Sequence, residues 1–148
     1  MAGMVFDGLG ILVGEMVFLS PQEAYALLAT GKAILLDIRD EFETNGRTFT
    51  VPAVIHIPHQ RPQEEFLALP KDRPLIVADC VGQLSKEKAR LLRSYGYEVA
   101  VLNGGMIDWE RNGMPVAIDR DAELVGSCVC QMRPRRVFQK KNSSLQEE

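Results

Sequence analysis

Residues 74–95 read PLIVADCVGQLSKEKARLLRSY, and the order of events along them decides the fold. Pro74 to Asp79 is a short continuous apolar run, the pattern of a strand buried inside a parallel sheet. Ser85 to Tyr95 then changes period: Ala89, Leu91 and Leu92 fall on one side and Lys86, Lys88 and Arg93 on the other. That predicts an amphipathic helix with Ser85 as N-cap and Gly96 as its stop. A buried strand running through a short loop into a helix is half of a parallel crossover unit.

Working outward, the same alternation recurs. Ser20 and Pro21 open a helix over 21–30, with Ala24, Leu27 and Leu28 inward and Gly31 ending it. Ala33 to Ile38 is a second strand apolar on both faces, Val54 to Ile57 a shorter one stopped by Pro58, and Glu98 to Leu102 the last. Gln63 to Leu69 and Met106 to Arg111 are predicted as helices. Strands and helices alternating over short connections predict an α/β domain: a parallel sheet of about five strands flanked by helices on both faces.

Composition bounds the rest. A chain of 148 residues, 46% hydrophobic and 25% charged, suits one compact domain that buries about two thirds of its unfolded surface. The formal net charge of −3 offers no general positive field, so neither nucleic acid nor anionic membrane is expected as a partner. Residues 1–15 are apolar but broken by Asp7, Glu15 and several glycines, with no Lys or Arg ahead of them. They are expected to be a loose leader, not a signal or a span of about 20 apolar residues, and to run into a short strand over Met16 to Leu19. The domain proper is expected over 16–118. Residues 119–148 form an extension with basic residues Arg133, Arg135, Arg136, Lys140 and Lys141 and a polar end, expected to be mobile.

Three cysteines, Cys80, Cys128 and Cys130, are too few for a disulfide scaffold and point to free thiols in a reducing cytoplasm. Cys80 stands where the strand PLIVAD ends and the next helix is about to begin, the edge at which parallel sheets carry reactive groups. Amides of Val81, Gly82, Gln83, Leu84 and Ser85, helped by the helix dipole, are expected to turn inward around the sulfur and favour a thiolate or persulfide. The sulfur itself is expected to face solvent. Gly82 relieves the strain of a positive φ. Asp79 opposes the thiolate if its carboxylate faces the sulfur and is neutral in effect if it faces the other side of the strand. The competing reading is Cys80 as a small buried hydrophobe. His56 and His59 have no Cys or His at a metal-ligand interval, so no metal site and no cofactor is expected.

Five segments, in order, resemble the rhodanese-like family of single-domain sulfurtransferase modules. FLSPQEAYALL (18–28) is similar to its opening strand and helix, LLDIRDEF (35–42) to its Asp-x-Arg segment and VPAVIHIP (51–58) to its Ile-Pro-Gly-Ala-x-x-Ile-Pro segment. Cys80 falls at the catalytic cysteine, and LNGGMIDWERNGMPV (102–116) matches Leu-x-Gly-Gly-x-x-x-Trp-x-x-x-Gly-x-Pro-Val. The resemblance implies that Cys80 takes sulfur from a small donor, thiosulfate or a low-molecular-weight persulfide, holds it as Cys80–S–S⁻ and passes it to a thiol, cyanide or a protein acceptor. Val81 to Ser85 would bind the anion and Lys86 would attract the donor. Asp37 and Arg39 would brace the loop ends, Arg39 being held by carboxylates such as Glu41. Gly104 and Gly105 would turn tightly beside the Cys80 loop, and Trp109 would sit in the core.

The chain departs from the family in three places. The loop after Cys80 is one residue short and lacks the usual Arg, with Lys86 as the available substitute, which disfavours thiosulfate and also the related phosphatases and arsenate reductases. Thr44 to Thr50 replaces the family's Gly-His-Ile step, with about two residues inserted and its His absent, which counts against a donor contact from this loop, while Arg47 offers a cation in the neighbourhood. Cys128 and Cys130 lie beyond the family's end as accessory thiols, able to accept sulfur from Cys80 or to close a disulfide with it. Two alternatives to the enzyme follow: a catalytically silent module that binds a protein partner, and a redox switch pairing Cys80 with Cys128 or Cys130.

Overall fold

The computed structural model of the protein describes residues 5–6 and 8–118. The expectations for 119–148, and with them Cys128 and Cys130, fall outside the described residues. A six-stranded sheet forms the centre, in the order β1 (Ile11–Val13), β2 (Met16–Leu19), β7 (Val99–Leu102), β6 (Leu75–Ala78), β3 (Ile34–Asp37), β5 (Val54–His56). All neighbours are parallel except the β1–β2 pair. A small antiparallel sheet joins β4 (Arg47–Phe49) to β8 (Val116–Ile118). Helices α1 (Pro21–Ala29), α2 (Glu41–Gly46), α3 (Gln63–Leu67), α4 (Gln83–Ser94) and α5 (Gly105–Arg111) complete the chain. None of the helices among the described residues is long and apolar enough to cross a membrane.

The three central strands are buried along their whole length, which is why they read as unbroken apolar runs. The period of two sorts their side chains into two cores. Leu35, Ile76, Ala78, Ala100 and Leu102 pack with Ala24, Leu27 and Leu28 of α1 and Met106 and Trp109 of α5. Leu36, Val77 and Val101 pack on the opposite face with Phe66 of α3 and Ala89 and Leu92 of α4. Helices on both faces therefore follow from apolar residues on both faces.

Two details depart from the sequence reading. The sheet has six strands because β1 lies inside the expected loose leader, folding back on β2 through a turn at Gly14, φ +62°. Phe6 also enters the core, and the Val5 amide donates to Glu98. The interrupting glycines that weakened the apolar run are what permit this hairpin. In the second departure, the segment read as a loop over 44–50 is the end of α2 followed by β4, whose pairing with β8 ties 47–49 to the end of the domain.

Candidate active site

Cys80 follows β6 at the carboxyl edge of the sheet, and Val81 and Gly82 alone separate it from the first residue of α4. Its backbone is held by the start of α5: the Met106 amide donates to the Asp79 carbonyl at 2.8 Å and the Ile107 amide to the Cys80 carbonyl at 3.1 Å. Gly105 must be glycine for this approach. It has φ +62°, and a Cβ there would lie 2.4 Å from the Asp79 carbonyl oxygen and 2.5 Å from the Cys80 carbonyl carbon. Gly104 abuts the other side of the loop, its nitrogen 3.2 Å from where a Cβ on Gly82 would stand.

The loop is tighter than its sequence suggests. Helix α4 starts at Gln83, with Gly82 as its N-cap at φ +94°, so the expected cap at Ser85 lies inside the first turn. The reason is Asp79. Its carboxylate, 3% exposed, accepts the amides of Gly82, Leu84 (2.6 Å) and Ser85 (3.2 Å), doing from a distance what a capping side chain does locally. The Ser85 hydroxyl, no longer needed as a cap, is buried without a hydrogen-bond partner.

This corrects the expected ring of amides around the sulfur. Three of the loop's amides, those of Gly82, Leu84 and Ser85, face Asp79. Cys80 is 8% exposed, packs in the core formed with Ala78, Leu102 and Met106, and is disulfide-bonded, so the expected solvent-facing free thiol is not the state seen. The backbone bonds from Met106 and Ile107 hold Cys80 close under α5. Around it Val81 and Leu84 are exposed, and Lys86 and Gln83 point to solvent on α4. A shallow cavity beside the loop, about 240 Å³, is lined by His59, Leu84, Glu87 and Lys88. Lys88 lies 3.9 Å above the Phe66 ring, and burial pushes its ammonium pKa down.

The two arginines expected near the site are committed elsewhere. Arg39 is fully buried and gripped by Asp37 (Nε to Oδ1 3.0 Å, Nη2 to Oδ2 2.9 Å), where a carboxylate such as Glu41 had been expected. The turn after β3 brings this partner, two residues away in the chain, alongside the guanidinium. Arg39 also donates to the Arg47 carbonyl at 2.7 Å and stacks on Phe49. It thereby ties the end of β3 to β4. Arg47, the cation noted in this neighbourhood, is buried and paired with Glu110 at 2.8 Å, as a strut of the small sheet. Trp109 is fully enclosed, donates to the Pro115 carbonyl at 2.8 Å and meets Tyr25 and Phe49 edge-on. His56 places Nε2 at 2.6 Å from the Arg39 carbonyl. Asp79 is the site residue whose role sequence reasoning missed; its place immediately before Cys80 was the available signal.

A family model for the rhodanese-like domain matches residues 20–112. The chain belongs to the rhodanese-like domain family. It is 31% identical over 100 residues to the thiosulfate sulfurtransferase GlpE of Actinobacillus succinogenes, across 66% of this chain and 87% of that one. A rhodanese-related protein from Thermoplasma volcanium superposes with a TM-score of 0.60 at 24% identity, covering 68% of this chain and 97% of its own, and shows the shared fold. The polysulfide-sulfur transferase homodimer of Wolinella succinogenes gives 0.59 at 29% identity, covering 69% and 78%. The rhodanese-like assignment places this chain in a family of sulfurtransferase type.

Proposed function

We propose that the protein is a sulfurtransferase that carries sulfane sulfur on Cys80. The observation that carries the reading is the position of this cysteine, at the carboxyl end of a central parallel strand and at the mouth of α4, in a rhodanese-like chain. In the reduced protein the Cys80 thiolate attacks the outer sulfur of a donor. With thiosulfate, the S–S bond of the donor breaks, Cys80–S–S⁻ forms and sulfite leaves. With a persulfide RSSH, the same bond forms and RSH leaves with the proton. A second nucleophile, a thiol or a protein acceptor, then takes the outer sulfur and regenerates the thiolate. The positive end of α4 favours the anionic intermediate. A cytoplasmic setting suits this chemistry, because it keeps the thiol reduced.

The test is intact mass after reduction, desalting and exposure to either donor. The expected result is a gain of about 32 Da that is absent in Cys80→Ser. Undiminished partner binding by Cys80→Ser, together with no gain in the wild type, would instead support a silent binding module.

A second reading is favoured by one observation: Cys80 is disulfide-bonded. A sulfur tied up in this way cannot attack a donor, so oxidation would switch transfer off and two successive exchanges with a reducing thiol would switch it on. Peptide mapping without reductant, before and after mild peroxide, identifies the partner as Cys128 or Cys130. A map with Cys80 free in both samples removes the switch.

A further inference from the structure

We propose that the protein is also a sulfide-releasing persulfide reductase: the thiols of Cys128 and Cys130 resolve the Cys80 persulfide, expel its outer sulfur as hydrosulfide and are left as a disulfide. The inference rests on Cys80 being the sulfur carrier, names an acceptor for it within the same chain and gives the sulfur a second outlet.

The chain has three cysteines and Cys80 is disulfide-bonded, so its partner is Cys128 or Cys130. The bond is to the Cys80 sulfur itself. That decides which atom of a persulfide the partner thiol attacks: the inner sulfur, which stays on Cys80, and not the outer one that an ordinary acceptor takes. Reach favours the same thiol. Cys80 is 8% exposed, packs with Leu102 and Met106, and is held under the start of α5 by the Ile107 amide, where Gly105 leaves no room for a Cβ. An acceptor protein would have to bring a cysteine on its own backbone down to this sulfur. A thiol of the same chain that already bonds to Cys80 has made the approach, and it acts at the effective concentration of a tethered group, on the order of mM.

The steps balance without an oxidant. The donor RSSH loads Cys80–S–SH and leaves as RSH. The partner thiolate then bonds to the inner sulfur, the bond between inner and outer sulfur breaks, and its electron pair departs with the outer sulfur as HS⁻, a weaker base than an alkyl thiolate. Cys80 is now in the disulfide seen here, reached by turnover and not by peroxide. The third cysteine stands two residues from the partner, a spacing compatible with the Cα separation of about 4.4–6.8 Å that a disulfide spans. It attacks the partner's sulfur, the Cys128–Cys130 disulfide forms, and Cys80 leaves as the thiolate. Two equivalents of a small thiol reduce the pair, so that in sum one persulfide and two thiols become one thiol, one hydrogen sulfide and one disulfide.

The full chain is reduced, desalted anaerobically and given glutathione persulfide one equivalent at a time, with sulfide read by electrode and the protein by intact mass. The first equivalent is expected to release roughly one sulfide per chain and to leave the protein about 2 Da lighter than its reduced form, with the disulfide mapped to Cys128 and Cys130. The second equivalent, finding that pair spent, is expected to give a lasting gain of about 32 Da and no further sulfide. In Cys128→Ser combined with Cys130→Ser, the first equivalent already gives the lasting gain, and sulfide release falls roughly tenfold or more. A lasting gain from the first equivalent in the wild type overturns the inference while leaving Cys80 as the carrier, and does so even if the serine variant fails to fold. Sulfide released by the serine variant as fast as by the wild type overturns it as well. No sulfide from the wild type and no mass gain in either form overturns the carrier reading itself.

Discussion

Asp37 and Arg39 form a closed fork inside the protein, with the guanidinium Nε and Nη2 on the two carboxylate oxygens at 3.0 and 2.9 Å and Arg39 entirely shielded from solvent. The pair does not reach the Cys80 loop through these contacts. It locks the end of β3, the strand beside β6, to the small sheet through the Arg47 carbonyl, and the Phe49 ring under the guanidinium continues the contact to Trp109.

Removing one member of this fork leaves the other charged and buried. Asp37→Asn and Arg39→Ala are each expected to cost about 3–5 kcal/mol in urea unfolding, while Asp37→Leu combined with Arg39→Met costs markedly less than the sum. Additive losses in the double variant would show that the two side chains are not coupled.

Two glycines of positive φ separate backbone freedom from close approach. Gly113, φ +79°, has open space where a Cβ would go, so Gly113→Ala is expected to cost about 1–2 kcal/mol and leave sulfur loading intact. Gly105→Ala meets the carbonyls of Asp79 and Cys80 and is expected to cost more than that and to abolish loading. Thermal melts and intact mass on the two variants check both halves of the contrast.

Trp109 joins three elements by its ring contacts with Tyr25 and Phe49 and its bond to Pro115. Trp109→Ala is expected to lose about 3–5 kcal/mol. Trp109→Phe retains ring packing but strands the Pro115 carbonyl, at about 1–3 kcal/mol. Equal losses for the two would mean that the hydrogen bond and not the packing carries the residue's contribution.

Glu23 sets an acid limit on stability. Its carboxyl pKa is held below the ordinary 4.5 chiefly by the backbone amide of Ser20, then by that of Gly10, which ties residue 10 to the start of α1. Because the folded value is the lower one, the contribution is complete above the unfolded value and lost as pH falls through the folded one. Glu23→Gln should therefore flatten the melting temperature against pH below about 4.5 while leaving neutral-pH stability slightly lower. Ser20→Ala, which removes the reciprocal half of the capping box, is expected to cost about 1 kcal/mol at neutral pH. A melting curve whose acid slope is the same in Glu23→Gln and wild type would rule this linkage out.

Much of the architecture was legible because it is written in short-range pattern. The runs at 34–37, 75–78 and 99–102 are apolar on both faces, and the Ser20–Pro21 cap and the Gly104–Gly105 turn are local chemistry. The hairpin of 11–19 was harder to see, since its residues are apolar without alternation and β1 remains exposed at the sheet edge, Leu12 at 67%. The partners of Arg47 and Arg39 were not legible either: Glu110 lies 63 positions along the chain from Arg47, and which carboxylate meets a guanidinium is settled by packing.

The amino-acid order alone determined the α/β class, the position of Cys80 at a strand-to-helix junction and the family to which these belong, because each depends on residues close together in the chain. What only the folded chain decided is where the charged and polar groups of that junction point. It is the convergence of the Gly82, Leu84 and Ser85 amides, arranged by α4 docking on the sheet, that fastens the Asp79 carboxylate to the start of the helix, while Cys80 turns into the core on the α5 face.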